Sequence, residues 1–154
     1  MPEENGAIPI VAKDAIYYTS FHYGTPRTNN FAQSELLERL QSDLLPQLEV
    51  ELGADNIVEF ETDLISMYDE TDYGVLRSKI SIPTWGMYKK HLKAFRKYTR
   101  HGDCFWLATP WTTLNQNDVC IIGGHQYVNA ESPRNSYNVH PVLYIKAEAL
   151  TTQN

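Results

Sequence analysis

Two cysteines, Cys104 and Cys120, and five histidines, His22, His91, His101, His125 and His140, are the residues from which a nucleophile, a base or a metal centre would be built. The histidines are scattered without ligand spacing, so each reads as a structural or surface residue rather than a ligand or a base. A Cys104–His pair has no third group placed to orient it. The chain also lacks a glycine-rich phosphate loop, a Gly-x-Ser-x-Gly elbow, a His-Glu-x-x-His pair and a Cys-x-x-Cys. The expectation is a protein that catalyses nothing and needs no cofactor and no metal.

Binding chemistry is better represented. In the last third, Trp111, Asn115, Gln116, Asn117, His125, Tyr127, Asn129, Arg134, Asn135, Tyr137 and Asn138 interleave flat rings with amides. Rings cover apolar C–H faces and amides answer hydroxyls or backbone groups, which is what a sugar or a protein surface requires. Any one of these residues is explained as well by turn propensity or core burial. Taken together, they point to ligand-binding loops at 111–118 and 130–138, with Trp111, Asn115, Asn117, His125, Tyr127, Arg134, Asn135 and Tyr137 as the candidate contacts.

Those loops need a scaffold. Ile8 to Tyr23, with Ile16-Tyr17-Tyr18, reads as an opening strand, and Gly24 to Asn30 as a turn-rich connector. Leu37, Leu40, Leu44 and Leu48 recur at helical spacing, with Asn30 and Gln33 placed as a cap and its reciprocal partner. Pro46 should kink or restart this helix and Gly53 should end it. Asn56 to Thr62 suits a strand, and Lys79 to Ile82 alternates as a short strand stopped by Pro83. Thr84 then caps a helix with Trp85, Tyr88, Leu92 and Phe95 on its buried stripe. Four further strands are expected at Cys104 to Leu107, Val119 to Ile122, Gln126 to Asn129 and Val142 to Lys146, with Gly123-Gly124 as a tight turn. This order predicts an α+β domain of two helices and a small twisted antiparallel sheet with long loops, one domain over 1–154 with its core at about 8–147. Cys104 and Cys120 fall on neighbouring strands, so a disulfide and two buried thiols are both open.

A length of 154 residues and a mass of 17.7 kDa suit one domain. No apolar run is long enough to span a bilayer, and Met1 to Gly6 is acidic and polar where a classical signal peptide would be basic and then apolar. The net charge of −6 is unevenly spread. Glu35 to Asp72 holds twelve acids and one base, whereas Tyr73 to Gly102 holds eight bases, Arg100 included, and no acid. Opposed blocks can neutralise each other within one fold, or the basic helix 85–100 can be a patch for nucleic acid or another polyanion. Because the other face of that helix is apolar, mutual neutralisation is the expectation, and a nucleic-acid partner is not.

The same final third carries a family likeness. Trp106-Leu107-Ala108-Thr109-Pro110, a strand into Gly123-Gly124, and Val139-His140-Pro141-Val142-Leu143-Tyr144-Ile145 resemble an uncharacterised bacterial and phage domain family. That family's signature is Trp-Leu-Arg-Ser-Pro, then Asp-Gly, then a closing Val-Arg-Pro-Ala/Val-Leu. Asn30 and Ser34 before the leucine helix, and Ile80-Ser81-Ile82-Pro83 before Tyr88, extend the likeness over about Tyr18 to Lys146. Ala108 and His140 stand where the family has arginine, Thr109 where it has serine and Gly123 where it has aspartate. The resemblance implies a C-type-lectin-like fold, related to that of the formylglycine-generating enzyme, in a phage structural protein or a bacterial surface protein. The Glu-Pro-Asn and Trp-Asn-Asp calcium loops of true C-type lectins are absent, and Glu131-Ser132-Pro133-Arg134-Asn135 only loosely echoes them, so no calcium is expected. Copper-dependent oxidation of the formylglycine-generating type would need a reactive cysteine pair, whereas Cys104 and Cys120 read as structural.

The function expected from residues and resemblance together is a recognition module on a virion or bacterial cell surface, taking a glycan or protein of the bacterial envelope. A purely structural virion component, joined to copies of itself or to neighbouring subunits, is the second reading. Polyanion contact through the basic helix is the third.

Overall fold

The chain's first strand and its last pair with each other. The computed structural model describes residues 1–98 and 102–151, so Arg100 and His101 lie outside the described residues. Strand β1 (Ala7–Val11) runs antiparallel to β10 (Val142–Lys146), and β3 (Ile57–Val58) adds to the other side of β10. A second sheet of five strands holds β2 (Tyr17–Ser20), β9 (Ser136–Val139), β6 (Phe105–Pro110), β7 (Val119–Ile122) and β8 (Val128–Glu131), in that spatial order. Strands β4 (Phe60–Asp63) and β5 (Val75–Ser78) form a separate hairpin. The mixture of helices and sheets makes the fold α+β.

Helix-forming signals act locally and fall where the residue pattern puts them, with one shift. Asn30 caps a single 3-10 turn, Phe31–Gln33, by accepting from the Ala32 N–H, and it is Ser34 that caps α1 (Glu35–Arg39) by accepting from Leu37. A wide turn over Leu40–Leu44 leads into α2 (Leu45–Leu52), which restarts with Pro46 in its first turn, where a missing N–H costs nothing. Gly53 ends α2 at φ +86°, a conformation that favours glycine. Thr84 caps α3 (Trp85–Lys90) through the Met87 N–H, and His91 separates α3 from α4 (Leu92–Tyr98). A last short helix, α5 (Ala147–Thr151), follows β10.

Alternation along the two central strands sorts the interior into two layers. Trp106 and Ala108 of β6, with Val119 and Ile121 of β7, pack against Leu36, Leu37, Leu40 and Leu44 of the first helical segment. Phe105 and Leu107, with Cys120 and Ile122, pack on the opposite face against Tyr88 and Phe95 of the second. A period of two residues makes this partition unavoidable once both helical segments are apolar on one side.

Several expectations are corrected. The main sheet is mixed, because β9 runs parallel to β6 while its other pairings are antiparallel. Strand β9 was not anticipated, since Ser136-Tyr137-Asn138 is polar and only Val139 is deeply buried. Ile8 to Tyr23 is two strands in different sheets. Lys79 to Ile82 is no strand: β5 ends at Ser78, and Ser81 makes a lone bridge to Val142 while Ile80 and Ile82 fill the core. The strand expected at Gln126 begins at Val128, because Gln126 adopts φ +66° in the turn that Gly123 opens.

Cys104 and Cys120 do not form a disulfide; both are free thiols. They sit beside adjacent strands, as the spacing suggests, but Cys104 contacts the Trp106 layer and Cys120 the Phe105 layer, so the sheet separates them. The charge blocks neutralise each other only in part among the described residues. Between them the described residues show Arg77 with Glu59 and Glu61 across the β4–β5 hairpin, while Lys90 pairs instead with Glu4 near the amino terminus.

Candidate functional site

The eight residues expected to bind a ligand do not converge. Loop 111–118 leaves the end of the sheet where Pro110 pairs with Val119, whereas the turn carrying His125 and Tyr127 leaves the end where Phe105 pairs with Ile122. The four residues of β7 separate the two, about 10 Å of strand. His125 and Tyr127 are exposed on that far turn. Arg134 sets its guanidinium 5.9 Å from the Tyr23 ring, and Asn135 donates to Glu131. Tyr137 turns inward, edge-on to Trp106 at 5.0 Å. Trp111, Asn115 and Asn117 share one loop.

Loop 111–118 is fixed by a side chain from the connector before the first helix. Asn29 is fully buried, and its amide N–H groups point at the carbonyls of Thr112, Asn115 and Asp118, at 2.8, 3.1 and 3.0 Å. Three acceptors around one end of the amide assign that end as nitrogen. Its oxygen accepts from the Tyr73 hydroxyl at 2.6 Å, and that hydroxyl accepts in turn from Gln116. Gln116 closes the ring by accepting from the Thr28 hydroxyl and from the Asn29 backbone. Asn115 serves the same end, since its side-chain oxygen accepts from the Asn117 N–H within the loop.

A second anchor comes from the β4–β5 connection. The Glu70 carboxylate accepts from the hydroxyls of Ser66, Thr112 and Thr113 and from the Thr113 N–H. Partial desolvation opposes ionisation of Glu70, but hydrogen bonds from Thr112, Ser66 and Thr113 together outweigh it and hold the carboxyl below its usual range. A group so depressed stabilises the fold above its unfolded value, and the contribution is lost as pH falls through the lowered one. Acidification below about pH 4 should therefore release loop 111–118 and change Trp111 fluorescence. Glu70→Gln should remove that step from the titration, and an unchanged step in the variant would assign it elsewhere.

With its backbone held, the loop presents a compact apolar rim. Tyr68 stands edge-on to Trp111 with ring centroids 6.0 Å apart and planes at 90°. Tyr68 is 64% exposed and Leu114, at the tip, 86%. Beside the rim lies a cleft of about 240 Å³ lined by Asp63, Met67, Asp69, Trp85 and Lys89 among others. Lys89 lies 5.3 Å from the Trp85 ring. The arrangement offers flat rings, two carboxylates and one ammonium, a set suited to holding a polar ligand with C–H faces.

Reaction chemistry finds less support. Burial, reinforced by Asp118, pushes the Cys120 thiol up to about 12, so it stays protonated and non-nucleophilic. His140 is wholly buried, with Nδ1 at 2.8 Å from the Ala12 carbonyl and Nε2 facing the Asp103 carboxylate at 3.6 Å. It ties the β9–β10 junction to the end of β1. Among the described residues no group of three His, Cys, Asp or Glu side chains could hold a metal ion, and no helix is long and apolar enough to cross a membrane.

Reading along the chain missed Asn29, Tyr68, Glu70 and Tyr73. Tyr68 to Tyr73 lies in an acidic stretch without periodicity, and Asn29 precedes a better cap, so neither carries a local mark. Comparisons with family models, with curated proteins and with solved structures find no match to this chain.

Proposed function

We propose that the protein is a non-catalytic recognition module with a C-type-lectin-like fold, carried by a phage particle or a bacterial surface assembly. Its ligand is a glycan or protein of the bacterial envelope, and its ligand face is the Tyr68–Trp111–Leu114 rim with the adjoining cleft. The fold assignment is supported by the pairing of the first and last strands, by helices on both faces of the sheet, and by the buried Trp106-Leu107 strand between them. The observation that carries the functional reading is the Tyr68–Trp111 pair, formed between the β4–β5 connection and a loop whose backbone is already fixed by Asn29 and Glu70. Binding by such a loop forfeits little conformational entropy, which is what separates a recognition surface from a merely exposed ring.

Of the residues expected from sequence, Trp111, Asn115 and Asn117 belong to this face. His125 and Tyr127 lie at the sheet's far end, and Tyr137 is committed to Trp106. Screening against arrayed envelope glycans and proteins tests the assignment. Tyr68→Ala, a change at an exposed side chain, should weaken the retained ligand at least about tenfold, the loss of one aromatic contact near 1.4 kcal/mol. His125→Ala should leave it unchanged. Absence of any ligand, with the protein still incorporated into particles, would favour the assembly role instead.

A further inference from the structure

The helices carry opposite charge on opposite sides of the molecule. From Glu35 to Asp55 six acids stand against the single base Arg39, and from Trp85 to Lys97 five bases stand against no acid. The first set rides on α1 and α2, packed on the Trp106 face of the main sheet, and the second on α3 and α4, packed on the Phe105 face. Five β-strands thus stand between the two surfaces and prevent them from meeting within one molecule. Glu38, Asp43, Glu49, Glu51 and Asp55 have no basic side chain within ion-pair distance among the described residues. Arg39 is turned onto the Tyr17 ring, 3.9 Å from its centre. On the other side Lys93 and Arg96 are exposed, with no acid in ion-pair range among the described residues.

The acidic side also has an apolar component. A groove of about 200 Å³ runs along α2, lined by Leu44, Leu48, Leu52, Ile10, Ile16 and Leu143. Ile16 is 44% exposed there. A partner that fits must offer positive charge on long aliphatic stems, so that the stems cover the leucines while the heads reach Glu49 and Glu51. The α3–α4 surface of a second copy has that composition: Lys93 and Arg96 project from it one turn apart. A polyanion would match the basic side alone and leave the acidic groove unexplained.

We infer that copies of this chain associate head to tail, the basic α3–α4 surface of one seated on the acidic, grooved α1–α2 surface of the next. Such an interface is heterologous, so it grows into open chains or closes into a ring rather than stopping at a symmetric dimer. It shares α3 with the ligand cleft, whose Trp85 and Lys89 lie on that helix, but leaves the Tyr68–Trp111 rim itself uninvolved.

Sedimentation velocity over micromolar to millimolar protein tests the inference. Wild-type protein in about 50 mM salt should form concentration-dependent oligomers that dissociate in about 500 mM salt, as exposed charge pairs are screened. Lys93→Glu/Arg96→Glu and Glu49→Lys/Glu51→Lys should each weaken self-association at least about tenfold. Mixing the two variants should restore association as alternating hetero-oligomers, because the unaltered basic surface of one meets the unaltered acidic surface of the other and the two reversed surfaces match as well. Wild type that stays monomeric throughout, oligomers indifferent to both reversals, or a mixture that associates no better than its components would overturn it. So would a mixed-sequence DNA duplex retarded by monomeric wild type and released by Lys93→Glu/Arg96→Glu, which would assign the basic surface to a polyanion.

Discussion

Asn29→Ala should destabilise the protein by about 3 kcal/mol and abolish the binding proposed for the Tyr68–Trp111 rim, although Asn29 is fully buried and can touch no ligand. The substitution removes the donor that serves three loop carbonyls and the acceptor that orients the Tyr73 hydroxyl. An unsatisfied buried group costs roughly 1–3 kcal/mol, and water entering from the loop's exposed side recovers part of the total. Against a typical domain stability of about 5–15 kcal/mol such a loss is large. Asn29→Asp keeps the shape but turns the donor end into a second acceptor facing the same three carbonyls, so it should cost more than alanine. Urea unfolding decides the matter: the midpoint should fall with little change in slope. A loss under about 1 kcal/mol would show that the loop holds itself.

How much of this was legible in the sequence depends on how far each signal reaches. Leu37, Leu40 and Leu44, the Thr84 cap, the restart at Pro46 and the stop at Gly53 all act within a turn or two, and each is where its spacing put it. Asn29 works on partners 83 to 89 positions away, and no local pattern marks it. Ile80 and Ile82 alternate with polar neighbours as a strand would, but alternation reports burial on one side, not a partner strand, and there the chain passes the core with one bridge. Of the two outcomes left open for the cysteines, parity decides for free thiols: which face each side chain takes depends on a register that spacing does not set. The residues of the expected loop set do not share one place. Trp111, Asn115 and Asn117 share a loop, whereas His125 and Tyr127 left the sheet from its other end. The face itself needed Tyr68 and Glu70, contributed by a stretch too irregular to read.

Trp106 is wholly buried at the centre of the main sheet, and its replacement should have the largest effect on the fold. Trp106→Ala should cost about 3–5 kcal/mol, a large share of an ordinary domain stability of about 5–15 kcal/mol. The side chain is wholly buried in β6 and touches Phe21, with ring centroids 5.6 Å apart, and Tyr137 at 5.0 Å. It thereby joins β9 to the segment that leads from β2 to the first helix. Its indole N–H donates to the Thr19 carbonyl at 2.9 Å, on β2, the strand at the sheet's edge. Trp106→Phe separates the two contributions. It keeps an aromatic body against Phe21 and Tyr137 but removes the indole donor to the Thr19 carbonyl and leaves a smaller void, so roughly 2 kcal/mol should be lost. Calorimetric melting of the two variants should rank them alanine below phenylalanine below wild type. If phenylalanine melts with the wild type, the hydrogen bond to Thr19 contributes nothing and the tryptophan of the Trp-Leu pattern is held by volume alone. If phenylalanine melts with alanine, anchoring of the edge strand dominates, and a variant of equal volume would gain nothing without a donor at the indole nitrogen's position.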